Sequence, residues 1–341
     1  MLAFSAPAIA GGVNVYDGGD SKLKLGGKIF TDLTRFKETD AAGAIVKRTT
    51  SARVERAYFT AKYYFNHDWM MRITTDVNLD PNLNKKNNNI FLKYAYLEGK
   101  LMGKAVVLRL GQSHTPWIDY EQGLWKHRYF SKVMIDTNGY DASSDLGIGL
   151  KGTVADGLAK YFVTYTNGAG YSHPGRVGDT MDVDARISLY PIDGLTLDAQ
   201  YRNGYKGTKT TPVGLNGAQK KSTLTQFMAT YGMGHDFRVG GNYAINKTTL
   251  LAATPVKETA IALWGWANVG NGVGLFGRYE NTKDDLVAAS RTKNTRFAGG
   301  VEYSPVKHVT LALGFDQAKT TVGGQTTKKT ERIGIWTQTK F

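Results

Sequence analysis

The chain has 341 residues, with 43 Lys and Arg against 29 Asp and Glu for a formal net charge of +14, 40 Gly, 19 Tyr and no Cys. After the leading apolar stretch no uncharged run approaches the roughly 18–20 residues of a spanning helix, which excludes a helical membrane protein. The basic residues lie singly along the chain, which excludes a basic nucleic-acid-binding tail, and without Cys there is no disulfide framework, thiolate metal site or thiol nucleophile.

The first element is small and apolar, Leu2 to Ala10, ending Ala8-Ile9-Ala10 before Gly11-Gly12. It reads as what remains of a secretory signal over 1–10, without its basic n-region, and leaves 11–341 as one domain. The alternative is an apolar terminus on a cytosolic protein. From Lys22 onward the hydropathy period is 2, in segments of about ten residues. Leu23, Leu25, Ile29 and Leu33 alternate with Lys22, Lys24, Lys28 and Asp32; Leu195, Leu197, Ala199 and Tyr201 alternate with Thr196, Asp198, Gln200 and Arg202. Strands are predicted over 22–34, 51–65, 69–78, 89–98, 104–112, 145–154, 159–166 and 180–189. The second half adds 195–205, 222–231, 236–245, 257–267, 273–282, 294–303, 309–318 and 329–341, sixteen in all.

Short connections (66–68, 99–103, 155–158, 191–194, 232–235, 268–272, 304–308) alternate with long ones (36–50, 113–144, 167–179, 206–221). That asymmetry, with strands long enough to cross a bilayer at a tilt, predicts an all-β, 16-stranded antiparallel transmembrane β-barrel with short periplasmic turns and long extracellular loops. All eight prolines fall outside the predicted strands, Pro191 and Pro305 in short turns, as a closed sheet requires. Aromatic residues gather near strand ends. Phe65, Trp69, Tyr96, Tyr161, Tyr190, Tyr231, Phe237, Tyr303 and Phe341 are expected in one girdle, and Phe30, Tyr165, Tyr201, Tyr243, Tyr279 and Phe315 in the other.

Phe341, closing a strand with Ile333 and Ile335 in phase, resembles the C-terminal signature that the barrel assembly machinery of the bacterial outer membrane recognises; Thr337 and Thr339 depart from its apolar pattern. Together with Leu23-Lys24-Leu25-Gly26-Gly27, Gly111-Gln112 and Thr115-Pro116-Trp117, the sixteen strands resemble Gram-negative porins, in particular the phosphate-selective porin O and P group. The resemblance implies a homotrimer in the outer membrane, in contact with its lipid and lipopolysaccharide. It also implies that 113–144 is an inward-folded third loop that constricts the pore.

A barrel of this size holds water, so function is read from the inward face. The inward cations are Lys28, Arg56, Lys62, Arg72, Lys93, Arg109, Lys151, Lys160, Arg186, Arg202, Arg238, Arg278, Arg296 and Arg332, outnumbering Asp32, Asp76, Asp182, Asp184, Asp198, Glu280, Glu302 and Asp316. Lys28, Arg56, Arg72, Lys93 and Arg109 are expected near mid-height on five adjacent strands, a basic wall that would favour small anionic solutes. Arg186, Arg202, Arg238, Arg278 and Arg296 are further lumen candidates. In the loop, Asp119 and Glu121 are candidates to face the wall and set up a transverse field, and Lys126, Arg128 and Lys132 to add to the attraction; the sequence alone does not orient them. The alternatives are lumen charges paired with acids such as Asp32 and Asp76, without effect on transport, and a loop lying over the mouth.

Gly147-Ile148-Gly149-Leu150-Lys151-Gly152 matches G-x-G-x-x-G but sits in an alternating strand with no helix after it. The six histidines are assigned to turns and loops with no metal spacing, so no catalytic residue, metal or cofactor is predicted. The expected function is a passive porin with anion preference, phosphate or other oxyanions among its solutes, and no nucleic-acid partner. The alternatives are an outer-membrane barrel enzyme, a barrel sheathing an electron-transfer or secretion partner, and a soluble basic β-protein.

Overall fold

The computed structural model describes residues 12–78, 89–215, 218–250 and 254–341; the expected leader, 1–10, and Pro81 lie outside them. In chain order the strands are β1 (Val13–Asp17), β2 (Lys22–Thr39), β3 (Ile45–Tyr64), β4 (Trp69–Asn78), β5 (Asn89–Met102), β6 (Val106–His114), β7 (Ser144–Val154), β8 (Ala159–Thr166) and β9 (Asp182–Leu189). They continue with β10 (Leu195–Gly204), β11 (Lys220–Met233), β12 (Phe237–Leu250), β13 (Val256–Gly270), β14 (Val273–Asp284), β15 (Thr292–Val306), β16 (Val309–Val322) and β17 (Gln325–Lys340). Two helices, α1 (Ile118–Trp125) and α2 (Met134–Thr137), lie between β6 and β7.

Strands β2 to β17 pair antiparallel in sequence order, and β17 closes on β2 from Lys329↔Thr39 to Lys340↔Lys28. This is the sixteen-stranded barrel the periodicity predicts, and closure leaves it without an open edge. Strand β1 is additional. It pairs with β2 from Val13↔Leu25 to Asp17↔Lys22, continuing the edge on which β17 stops. At that junction Gly27 and Phe341 exchange backbone hydrogen bonds of 3.0 and 3.2 Å, and a Cβ on Gly27 would lie 2.4 Å from the Phe341 ring. The glycine makes room for the terminal aromatic.

The first predicted long loop, 36–50, is a hairpin. Strands β2 and β3 run past their predicted ends and leave only Asp40–Ala44 as the turn, with Ile45 to Thr50 exposed throughout. The ladder continues because nothing in those polar segments stops β pairing once the barrel has fixed the register. Pro305 is inside β15, not in a turn, at the register break between Tyr303 and Val306 where no ladder N–H is required.

Alternation sets the two faces. On β10, Leu197 and Tyr201 are exposed while Thr196, Asp198, Gln200 and Arg202 are buried. The exposed apolar set recurs around the barrel, for example Ile29, Phe59, Ile73, Ile148, Ile187, Phe227, Leu263, Phe297, Leu313 and Ile333. A water-soluble protein does not expose so extensive an apolar surface; a lipid-facing belt does. Phe30 and Tyr96, expected in the girdles, instead face inward and are buried.

Two bulges change the inward pattern. Phe30 and Thr31 pair with Arg56 and Val54, so Glu55 is an extra residue and Arg53 turns inward against Asp32. Thr74 and Thr75 pair with Tyr94 and Leu92, so Lys93 is extra and is buried together with Tyr94.

Candidate functional site

The connection from β6 to β7 folds into the barrel because its sequence is far more apolar than a solvent-exposed loop allows. Trp117, Ile118, Trp125, Val133, Met134 and Ile135 are fully buried. They pack with Leu224, Met228, Trp264, Trp266, Phe276 and Trp336 from β11, β13, β14 and β17, so the barrel's core lies between loop and wall. Polar latches fix the arrangement. Glu121 accepts from Trp117 Nε1 at 2.8 Å and from Arg278 on β14 at 3.1 Å, while Trp266 Nε1 donates to the Leu124 carbonyl at 2.9 Å. Tyr129 donates to Glu302 on β15 at 2.9 Å, and His127 Nε2 lies 3.1 Å from the same carboxylate.

Glu121 therefore does not face the predicted basic wall. It is held on the opposite side of the lumen, and burial pushes its carboxyl pKa up even beside Arg278. Lys126 likewise leaves the wall, its ammonium 3.5 Å from the centre of the Trp266 ring. Loss of solvation, with Arg238 nearby, lowers its pKa to about 8, although the side chain still reaches solvent. Lys132 pairs with Asp136 at 3.3 Å, and Arg128 lines a cavity that it shares with Arg56. Asp119 is the loop acid that meets the basic side, accepting from Tyr94 and lying 3.8 Å from His114 Nε2.

Lys28, Arg56, Arg72, Lys93 and Arg109 all point inward on β2 to β6, but they are not alike. Arg56 pairs with Asp76 at 2.9 Å and Arg109 with Glu98 at 2.7 Å. Lys93 is buried, bonded to Ser143 and 3.3 Å from the Tyr171 ring centre. The wall is thus partly neutralised, because Asp76 on β4 and Glu98 on β5 each reach the arginine of the neighbouring strand. Arg72 lies over Tyr94 at 4.6 Å and contacts His114 Nε2 at 3.3 Å, while Arg109 contacts His114 Nδ1 at 3.2 Å. His114 is the last residue of β6, not a free loop histidine, and sits between two guanidinium groups.

Register exposes a group that the sequence reading did not assemble. Lys24 is directly opposite Lys62, and Lys62 is directly opposite Arg72; on the other flank Lys340 is directly opposite Lys28. Like charges in cross-strand pairs are destabilising. Among the described residues none of these five makes a short ion pair, and Lys28 feels Lys340 and Arg72 while Lys62 feels Arg72 and Lys24. Asp119, Glu98 and Glu302 act on them only at longer range. The row was hidden because cross-strand register depends on tilt and stagger, which no single strand encodes.

The further lumen arginines are mostly engaged. Arg202 pairs with Asp182 and Asp141, Arg278 with Glu121 and Glu280, and Arg296 with Asp316 at 2.6 Å. Arg186 donates to the Pro116 carbonyl at 2.6 Å and lies 3.5 Å from Asp198, and Arg238 donates to Thr230 at 2.8 Å. These cations hold the loop and the far wall in place rather than standing free in the lumen.

An apolar outer belt, a polar lumen and a loop packed inside sixteen closed strands define an outer-membrane β-barrel of the porin class of folds. No family profile matches this sequence, and no curated protein sequence matches it. Solved structures do. An anion-selective porin from Comamonas acidovorans superposes with a TM-score of 0.71 at 13% identity, covering 94% of this chain and 100% of that one. The outer membrane channel DcaP of Acinetobacter baumannii gives 0.64 at 11% identity, with 96% and 99% covered. Salmonella typhi OmpF, in complex with daunomycin, gives 0.62 at 13% identity, with 96% and 100% covered. At such identities the likeness is one of fold.

Proposed function

We propose that this protein is a passive outer-membrane diffusion channel for small hydrophilic solutes, with a preference for anions, oxyanions such as phosphate among them. It makes and breaks no covalent bond. The observation that carries the preference is the row Lys24–Lys62–Arg72, with the pair Lys28–Lys340 beside it. Repulsion between directly opposed cations costs stability, and an anion in the adjacent lumen relieves it. In a water-filled pore such an uncompensated group lowers the energy of anions and raises that of cations. The fold shared with an anion-selective porin supports the same reading. So does the resemblance to the porin O and P group, which adds a homotrimer, surrounding lipid and lipopolysaccharide, and recognition of Phe341 by the assembly machinery.

The reversal potential in a planar bilayer under a KCl gradient tests the preference. The expected sign is that of chloride over potassium, and K24Q/K62Q/K340Q is expected to move it toward potassium. Potassium selectivity in the wild type, or a ratio that the triple variant leaves untouched, would overturn the assignment.

A further inference from the structure

Near the long-loop end of the lumen, the inward loop and strands β2, β3, β15, β16 and β17 enclose a cavity of about 360 Å³. That volume is within the range of small-molecule sites, about 300–1,000 Å³. Its apolar lining comes from Phe36, Tyr129, Phe130 and Trp336, the last two meeting edge to face with ring centres 4.5 Å apart. Its acids are already engaged. Asp316 takes two hydrogen bonds from Arg296, Glu55 pairs with Arg53, and Glu331 pairs with both Lys37 and Lys329. Arg56 and Lys132 are also engaged, with Asp76 and Asp136. Two lining cations remain. Arg128 comes from the loop and Arg332 from β17, and neither makes an ion pair among the described residues.

The cavity therefore combines an aromatic lining with two guanidinium groups whose donors are not committed to a carboxylate. A guanidinium presents a planar fork that matches a carboxylate, and an aromatic lining favours a flat apolar body. From this combination we infer that the cavity is a recognition site for small aromatic carboxylates, the carboxylate held by Arg128 and Arg332 and the ring against Phe36, which is partly exposed and is backed by the buried Tyr129, Phe130 and Trp336. An inorganic anion would use only the arginines. The inference rests on the channel reading above but concerns a different part of the lumen from the lysine row. The site is formed only when the loop is packed inside the barrel, because Arg128, Tyr129 and Phe130 are loop residues.

Benzoate and acetate, added separately to the long-loop side of a single channel carrying chloride current, test it. Benzoate is expected to block at a concentration about tenfold lower than acetate, because only its ring uses the aromatic lining. The substitutions R128Q and R332Q are each expected to weaken the benzoate block about tenfold by removing charge-assisted hydrogen bonds. Equal block by benzoate and acetate overturns the inference, as does a benzoate block that survives in R128Q/R332Q. The wild-type comparison decides the matter even where a variant does not fold. Chloride selectivity without preferential benzoate block removes the aromatic site and leaves the channel reading standing; potassium selectivity removes the channel's anion preference instead.

Discussion

The two ends of the lumen handle charge differently. Toward the short turns, on β2, β3, β4 and β17, Lys24, Lys28, Lys62, Arg72 and Lys340 stand next to one another without a close acid. Toward the long loops most cations are matched, Arg53 with Asp32, Arg56 with Asp76, Arg296 with Asp316 and Arg202 with Asp182, and Arg128 and Arg332 of the aromatic-lined cavity are the exceptions. A matched pair fixes geometry and contributes little net field, whereas an unmatched group acts on whatever passes. Counting inward cations therefore overstates the electrostatic pull of the pore, and position within the register determines which of them contribute.

The largest effect is expected from breaking a match that holds the loop. Arg278→Ala leaves Glu121 buried without its partner, a change that typically costs about 3–5 kcal/mol. The barrel ladder does not involve that side chain, so the loss should fall on loop docking and appear as a higher, noisier single-channel conductance. Wild-type conductance in this variant would mean that the aromatic packing around Trp125 suffices. A smaller effect separates the two ends directly. Lys62→Met is expected to lower the chloride-to-potassium ratio a few-fold, on the order of 1 kcal/mol for a unit charge about 4 Å away in water. By contrast R56M/D76N, which removes a cation with its acid, should leave the ratio nearly unchanged. If the pair deletion shifts selectivity as much as Lys62→Met, the distinction between matched and unmatched cations fails.

The smallest effect is on pH. Lys126 has its pKa lowered to about 8, so it is charged at neutral pH and loses its proton as pH rises past that value. The lumen then becomes less positive, and anion preference should decline between pH 7 and 9. Lys126→Met should remove that part of the decline and leave the rest; an identical pH profile in the variant would show that Lys126 does not contribute.

Much of the fold was legible in the sequence. Trp69–Asn78 and Ala159–Thr166 coincide with their predicted limits, and all sixteen barrel strands were found, because alternation and turn residues act over a few positions. The short β1 was not predicted; five residues flanked by glycines carry too little alternation to distinguish strand from linker. The site was only half legible. The inward cations were identified by parity, but Arg53 escaped because a bulge reverses parity beyond Glu55, and Lys93 faces inward through the second bulge. The side on which Glu121 sits was not legible, because its anchor, Arg278, is 157 residues away in the chain.

By itself, then, the sequence determined that the chain closes into sixteen strands, which side chains face lipid and which face water, and that the lumen is rich in cations. These are consequences of a two-residue period and of turn chemistry, both local. Only the tertiary structure decided which cations are neutralised, where five of them stand opposed, and against which wall the loop packs. Those depend on stagger between strands and on contacts between residues far apart in the chain, and neither is written in any single segment.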